Sequence, residues 1–295
     1  MAAATAPDGE GSATPPGGDG TGADAVPSGV RADGAALGAR ARGEGIPLLL
    51  VPTTAAAEHL DPLARQPRLA GTARILRYRR RGYGASPPAP RPGSLVREAA
   101  DALAVLDACG TGSAHVLGDS FSVAIALELA LAHPGRVRGL VLVEPPPLLA
   151  PGAEHFLAAN RELLDLHESL GPVAALEALQ DKVAGPHWRE DLDAVVPGMS
   201  ERILLDAPTV FAVDIPALLA WTLPAERAAA LSCPVLHIEG EAHGPLFATV
   251  GDWLRGLLPQ TRTAVIPGAG HDVAFTHPAQ VAAEIAGFLT QAAPR

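Results

Sequence analysis

Short apolar runs alternate with amphipathic stretches through most of this chain. Ile46-Pro47-Leu48-Leu49-Leu50-Val51, Ala73-Arg74-Ile75-Leu76-Arg77-Tyr78, Ala114-His115-Val116-Leu117 and the run from Val137 to Val143 have the length and composition of strands buried inside a sheet. Ahead of them, Val30 to Leu37 carries an Asp33-Gly34 turn between two short strand candidates, an opening hairpin. Ala55 to Leu69 is weakly helical, and Gly82-Tyr83-Gly84 with Pro87-Pro88 turns the chain sharply. Ser94 stands where it caps a helix with Arg97 and Glu98 in the first turn and apolar positions recurring through Leu103 and Leu106. Val123 to Ala130 is a further helix, stopped near His133-Pro134-Gly135. Strand–helix alternation of this kind predicts right-handed crossovers and a mostly parallel sheet.

The alternation breaks after Val143. Residues 150–224 hold helical patterns, with apolar faces such as Leu157-Leu163-Leu164 and Val173-Leu176-Leu179, and no strand. It resumes with the strand Val235-Leu236-His237-Ile238, a helix from Leu246 to Leu258, the strand Thr263-Ala264-Val265-Ile266 and a last helix from about Pro278 to Thr290. The expected organisation is an α/β core in two parts, 29–149 and 225–295, with an all-helical insertion at 150–224. Such an insertion lies over the C-terminal ends of the strands, where open α/β sheets bind ligands. Residues 1–28 are rich in Gly, Pro, Ala, Thr and Asp and read as a disordered acidic tail.

Composition narrows the function. The 295 residues are 48% hydrophobic and 18% charged, enough apolar content for a sizeable core. The formal charge is −10 and the one basic cluster is Arg79-Arg80-Arg81, which argues against a nucleic-acid partner. Lys182 is the only lysine, and the Ala, Arg, Gly and Pro bias points to a GC-rich bacterial genome. Cys109 and Cys233 lie far apart without metal-ligand spacing and read as reduced cysteines of a cytoplasmic protein. No apolar run reaches membrane-spanning length and no secretory pattern opens the chain, so no membrane partner is expected. Gly82-Tyr83-Gly84 is too short for a phosphate loop, and no metal or cofactor motif is found.

The chemistry concentrates in Leu117-Gly118-Asp119-Ser120-Phe121-Ser122. A strand, a sharp turn with serine at its apex and a helix are the setting of a G-x-S-x-G nucleophile elbow, here with Ser122 in place of the last glycine. The helix N-terminus behind the serine offers a free N–H to a developing oxyanion. A serine nucleophile also needs a base, an acid that orients it and a second oxyanion donor. Among ten histidines, His271 is the candidate base: it follows a strand and the glycine-rich Pro267-Gly268-Ala269-Gly270, downstream of the serine. His115 and His237 fall within strands, His133 belongs to a helix stop, and His277 opens the last helix.

The Asp-Gly hairpin, Tyr78-Arg79-Arg80-Arg81-Gly82-Tyr83-Gly84-Ala85-Ser86, the elbow, His133-Pro134 with the strand to Val143, and Pro267 to His271 together resemble the α/β-hydrolase fold family. The resemblance runs from about residue 30 to the end. It implies a mostly parallel sheet flanked by helices, with the helical insertion as a lid. Many members carry their acid in a G-x-x-D segment; here that segment is Gly240-Glu241-Ala242-His243, with His243 at the aspartate position and Glu241 two residues early. A second location in the family is the end of the strand finishing at Val143, where this chain has Glu144. The resemblance therefore implies Glu144 as the acid, with Glu241 as the alternative. The oxyanion donors it implies are the N–H of Phe121 and that of Thr54, in Val51-Pro52-Thr53-Thr54-Ala55, where the family often has His-Gly. Without glycine at 53 the loop is restricted in φ and the hole is expected to be reshaped. The threonine hydroxyls offer a third donor. Val123 is expected to shift the helix slightly, and Asp119 to hydrogen-bond locally. Serine at the apex argues against aspartate-nucleophile chemistry.

The expected activity is serine-dependent cleavage of a small acyl compound, an ester, lactone or thioester, through an acyl-enzyme. Two other readings stay open: the same fold repurposed as a cyclase, lyase or isomerase with His271 as acid/base, or a non-catalytic ligand-binding protein. Phe156, Leu163, Trp188, Phe211 and Trp221 either roof the pocket or pack the core of the lid. The identity of the substrate and the oligomeric state are open at this level.

Overall fold

A computed structural model describes residues 30–55, 58–148, 150, 152–244, 247 and 249–291; the tail expected at 1–28 lies outside the described residues. The strands β1 (Val30–Ala32) and β2 (Ala35–Leu37) form the expected hairpin, with positive φ at both turn residues, Asp33 and Gly34. The next strand, β3 (Ala39–Arg42), was invisible to the apolar pattern because Ala-Arg-Ala-Arg has nothing larger than alanine to bury. It lies antiparallel on β5 (Ala73–Tyr78) at the edge of the main sheet. The other members, β4 (Ile46–Val51), β6 (Ala114–Asp119), β7 (Val137–Val143), β8 (Val235–Gly240) and β9 (Thr261–Ile266), run parallel, in the order β3-β5-β4-β6-β7-β8-β9. Every residue of β6 is buried, which is why its sequence runs apolar instead of alternating.

Helices cover both faces. α1 (Asp61–Ala64) and α2 (Pro67–Ala70) replace the single helix expected over 55–69. Pro67 has no N–H to give a continuing helix and holds Gln66 extended, so the chain restarts there. α3 (Leu95–Ala108) begins at Ser94, whose Oγ accepts the Arg97 N–H at 3.3 Å. α4 (Ser122–Ala132) is apolar on all sides because residues 122–130 are buried throughout. Leu49 and Val51 of β4 pack on the α3 and α4 side, while Leu48 and Leu50 point to the opposite layer.

Among the described residues, six α-helices stand between β7 and β8: α5 (Ala153–Leu170), α6 (Pro172–Val183), α7 (Trp188–Val195), α8 (Met199–Thr209), α9 (Ile215–Ala220) and α10 (Ala225–Ala228). A π-helical turn, Val210–Asp214, joins α8 to α9. The result is one continuous helix, Met199–Ala220, of 22 residues, whose most apolar stretch has a mean hydropathy of 1.8. This corrects the expectation that no apolar run reaches spanning length; half of its most apolar window is buried within the protein, where Met199, Ile203 and Phe211 join Leu163 and Trp188 in the core of the lid. Leu163, Trp188 and Phe211 thus pack together within the helical insertion, and Trp221 donates its indole N–H to Glu128 at 2.6 Å. Of the five expected roof residues, Phe156 is the one that lines the cavity above Ser120.

After β8 come α11 (Val250–Leu257), α12 (Val273–Thr276), which the pattern did not announce, and α13 (Pro278–Gln291). Parallel register brings the ends of β6, β7, β8 and β9 side by side at one edge. The candidate chemistry gathers there.

Candidate active site

Ser120 sits directly after β6 at φ 50°, a left-handed conformation rare outside glycine, and its N–H donates to Val143 O at 2.9 Å. The turn demands glycine at 118: a Cβ there would come within 2.7 Å of Val123 Cα. Backbone and helix meet so closely that Val123 is accommodated without a side chain opposite it. Ser122 has a positive role in place of the usual glycine. Its buried Oγ accepts the Asp119 N–H at 2.8 Å and donates to Val51 O at 2.8 Å, tying the elbow to β4.

His271 follows β9 after the turn at Pro267. Its Nε2 lies 3.0 Å from Ser120 Oγ, across 151 residues of chain. The Phe247 ring packs on the imidazole with centroids 4.3 Å apart. On the other side of the ring, Nδ1 is 3.5 Å from Glu144 Oε2. Glu144 leaves β7 at φ 45°, 1% exposed, and this turn aims its carboxylate back along the sheet edge. Oε1 accepts the Gly240 N–H at 2.6 Å and lies 3.3 Å from His243 Nδ1. Two imidazoles therefore share one carboxylate. Burial pushes the Glu144 carboxyl up, but hydrogen bonds from His243, His271 and Gly240 outweigh it and hold the group below the usual glutamate value. For His271 burial pulls the pKa down; the Glu144 hydrogen bond and the charges of Glu144, Asp272 and Asp119 win, leaving it above the ordinary histidine value.

Glu241, the alternative acid, points elsewhere: its Oε2 accepts the Gly268 N–H at 3.0 Å. It braces the loop that carries His271, together with the bond from Ala242 N to Ala269 O at 2.8 Å. Asp119 hydrogen-bonds locally, its N–H and C=O both meeting Ser122 Oγ, while its carboxylate turns to a distant partner. Its Oδ2 lies 3.1 Å from Nε2 of His59, a histidine that the sequence pattern did not single out and that stacks on Phe275. Burial lowers the His59 pKa, and the bond and charge of Asp119, with the charge of Asp272, more than restore it.

Thr54 and Phe121 both line the cavity, and neither backbone N–H has a partner among the described residues. Thr54 Oγ1 is 3.1 Å from the Tyr83 hydroxyl, and Ala55, at φ 66°, donates its N–H to the same oxygen at 3.4 Å. The threonine hydroxyl is thus engaged with tyrosine. Around these polar groups the walls are largely apolar, formed by residues of the helical insertion such as Phe156, Leu192, Met199 and Ile203, with Asn160 and Gln180 among them. The chain pattern had not signalled His59, Tyr83, Arg80 or Asp214. The two arginines Arg80 and Arg81 facing two acids three apart on α3, Glu98 and Asp101, were the available clue.

This arrangement is that of an alpha/beta hydrolase, and the chain belongs to the Alpha/beta hydrolase family, which it matches over residues 48–284. It is an α/β-fold hydrolase whose sequence relatives include hydrolases and esterases. It is 30% identical over 266 residues to 2-hydroxymuconate semialdehyde hydrolase of Pseudomonas putida, covering 85% of this chain and 89% of that one. Among solved structures, a thermophilic esterase from Thermogutta terrifontis superposes with a TM-score of 0.76 at 21% identity, covering 92% of this chain and 99% of the esterase. The enol-lactonase of Burkholderia xenovorans gives a TM-score of 0.70 at 18% identity over 88% of this chain and 98% of its own. These two likenesses are of fold.

Proposed function

We propose that this protein hydrolyses a small carboxylic acyl compound, an ester, lactone or thioester, through an acyl-enzyme on Ser120. The single observation that carries the reading is the Ser120 Oγ–His271 Nε2 distance of 3.0 Å at the apex of a strained elbow. In this reading His271 takes the serine proton as Oγ attacks the acyl carbon, then returns it to the leaving group. In the second half-reaction His271 deprotonates water, which attacks the acyl carbon and releases Ser120. Glu144 holds Nδ1–H and stabilises the imidazolium; it need not take the proton. The N–H groups of Phe121 and Thr54 hold the oxyanion, and the apolar lid walls favour an uncharged, largely hydrocarbon acyl group.

Ser120→Ala and wild type are to be compared on esters and lactones of graded size, with the semialdehyde named for the Pseudomonas putida relative included. Intact mass after exposure to a serine-reactive phosphonate follows the nucleophile. The expected outcome is one adduct on wild type, none on the variant, and a loss of turnover of about 10⁶-fold. Turnover that survives in Ser120→Ala sinks the acyl-enzyme and leaves acid/base chemistry at His271 in its place.

A further inference from the structure

Arg80, behind the Thr53 and Phe121 wall of the cavity, is 1% exposed. Its Nε donates to Glu98 Oε2 at 3.1 Å, and its two terminal nitrogens donate to Asp214 at 2.6 and 3.0 Å. Asp214 belongs to the π-helical turn of the lid, a feature frequent at functional sites. The lid helix is seated closely there. A Cβ at Gly93 would overlap Val213 O, and Thr209 Oγ1 donates to Gly82 O at 2.8 Å.

The same guanidinium reaches both halves of the oxyanion hole. Nη1 donates to Thr53 O at 3.3 Å, and the Arg80 Cζ lies 4.6 Å from the centre of the Phe121 ring. In a trans peptide the C=O and the following N–H point in opposite directions. Holding Thr53 O on Arg80 therefore aims the Thr54 N–H away from the guanidinium. Tyr83 completes the arrangement. Its one hydroxyl proton goes to Asp214, so its oxygen is left to accept from Thr54 Oγ1 and Ala55 N–H. Those contacts hold Ala55 at its positive φ, the conformation that a glycine-containing loop reaches without help.

We propose that Asp214 of the lid, acting through Arg80 and Tyr83, positions the Thr53–Ala55 loop, so that the oxyanion hole is assembled only when the lid is seated. The inference rests on the serine-hydrolase reading above. Arg80, Tyr83 and Asp214 are positioning residues, since none of them touches the reacting atoms.

The test compares wild type, Tyr83→Phe and Asp214→Asn on one ester substrate. Each is also titrated with a boronic-acid transition-state analogue and with the product acid. Asp214→Asn is expected to lower kcat up to about 100-fold, within the range for losing one oxyanion donor. Tyr83→Phe, which leaves the Arg80–Asp214 pair intact and so keeps the lid seated, is expected to lower kcat about tenfold. In both, the KM and the product-acid affinity stay within about threefold, while analogue affinity falls in step with kcat/KM. A folded Tyr83→Phe protein with unchanged kcat and analogue affinity overturns the proposal, whatever the fate of Asp214→Asn. Wild-type turnover that does not depend on Ser120 overturns the hydrolase reading itself, which is a separate result.

Discussion

The two sides of Ser120 are built by opposite means. On the base side, Glu144, Gly240 and His271 leave the ends of β7, β8 and β9, three neighbours in the sheet, and the parallel register alone brings them together. The charge there is a single carboxylate shared between His271 and His243, two imidazoles whose pKa values it raises above the ordinary histidine value. On the oxyanion side a permanent cation, Arg80, lies between two carboxylates from elements that are not sheet neighbours, and its partner Asp214 is 134 residues away. One side is a product of register and can adjust its charge. The other is a buried ionic cluster that depends on the lid. The difference teaches that substitutions on the base side should act on chemistry and those on the oxyanion side on both folding and chemistry.

The sharpest way to break that comparison is at the acid. Glu144→Gln is expected to lower kcat by about 10³–10⁴-fold, since the histidine loses its orienting carboxylate. Glu241→Gln, on the loop brace, should stay within about twofold. Steady-state kinetics decide it, and a large loss in Glu241→Gln with a small one in Glu144→Gln would move the acid to Glu241. On the other side, Arg80→Met leaves Glu98 and Asp214 buried without their cation, and should cost about 3–5 kcal/mol in urea unfolding. A loss below about 1 kcal/mol there would erase the distinction between the two sides.

The base side also contains a buried spectator. His237 in β8 is 1% exposed, and its pKa is pushed down to about 4 by burial. The unfolded chain takes up this proton below its ordinary value of 6.5, while the native state resists it until about 4. Stability should therefore fall as pH drops from 6.5 towards 4, and His237→Gln should remove up to about 3 kcal/mol of that loss. Denaturant midpoints across this range provide the check. The smallest expected effect is a shift in the activity profile. In the proposed mechanism neutral His271 is the active form, and its pKa is raised, so kcat/KM should fall as pH decreases through a value above 6.5. In Glu144→Gln the residual activity should titrate about one unit lower, because the carboxylate that favours the imidazolium is gone. An unmoved limb would mean that Glu144 does not govern the histidine.

Much of this was legible in the chain. The buried strands β4, β5, β6 and β7 announced themselves as apolar runs, because strands covered on both faces have no polar side to display. The elbow serine and the histidine after β9 were legible because both are local devices, a tight turn and a glycine-rich loop, written in consecutive residues. β3 was hidden because an edge strand of alanine and arginine carries no apolar signal. α12 is a single turn, too short for a period to be seen. Asp119 makes the expected local bond to Ser122, but the partner of its carboxylate, His59, lies on a different segment and left no signal.

Read alone, the chain was enough for the alternation of elements, the interruption by the helical insertion, and the candidates Ser120, His271, Glu144, Phe121 and Thr54. These are properties of short windows, set by backbone sterics and by which side chains can be buried. Only the tertiary structure decided which carboxylate faces His271, why Ser122 replaces glycine, and which groups surround Arg80. Those outcomes depend on pairings between residues distant in the chain. A buried charge is tolerable only where packing delivers its counter-charges, and no local pattern encodes where packing will place them.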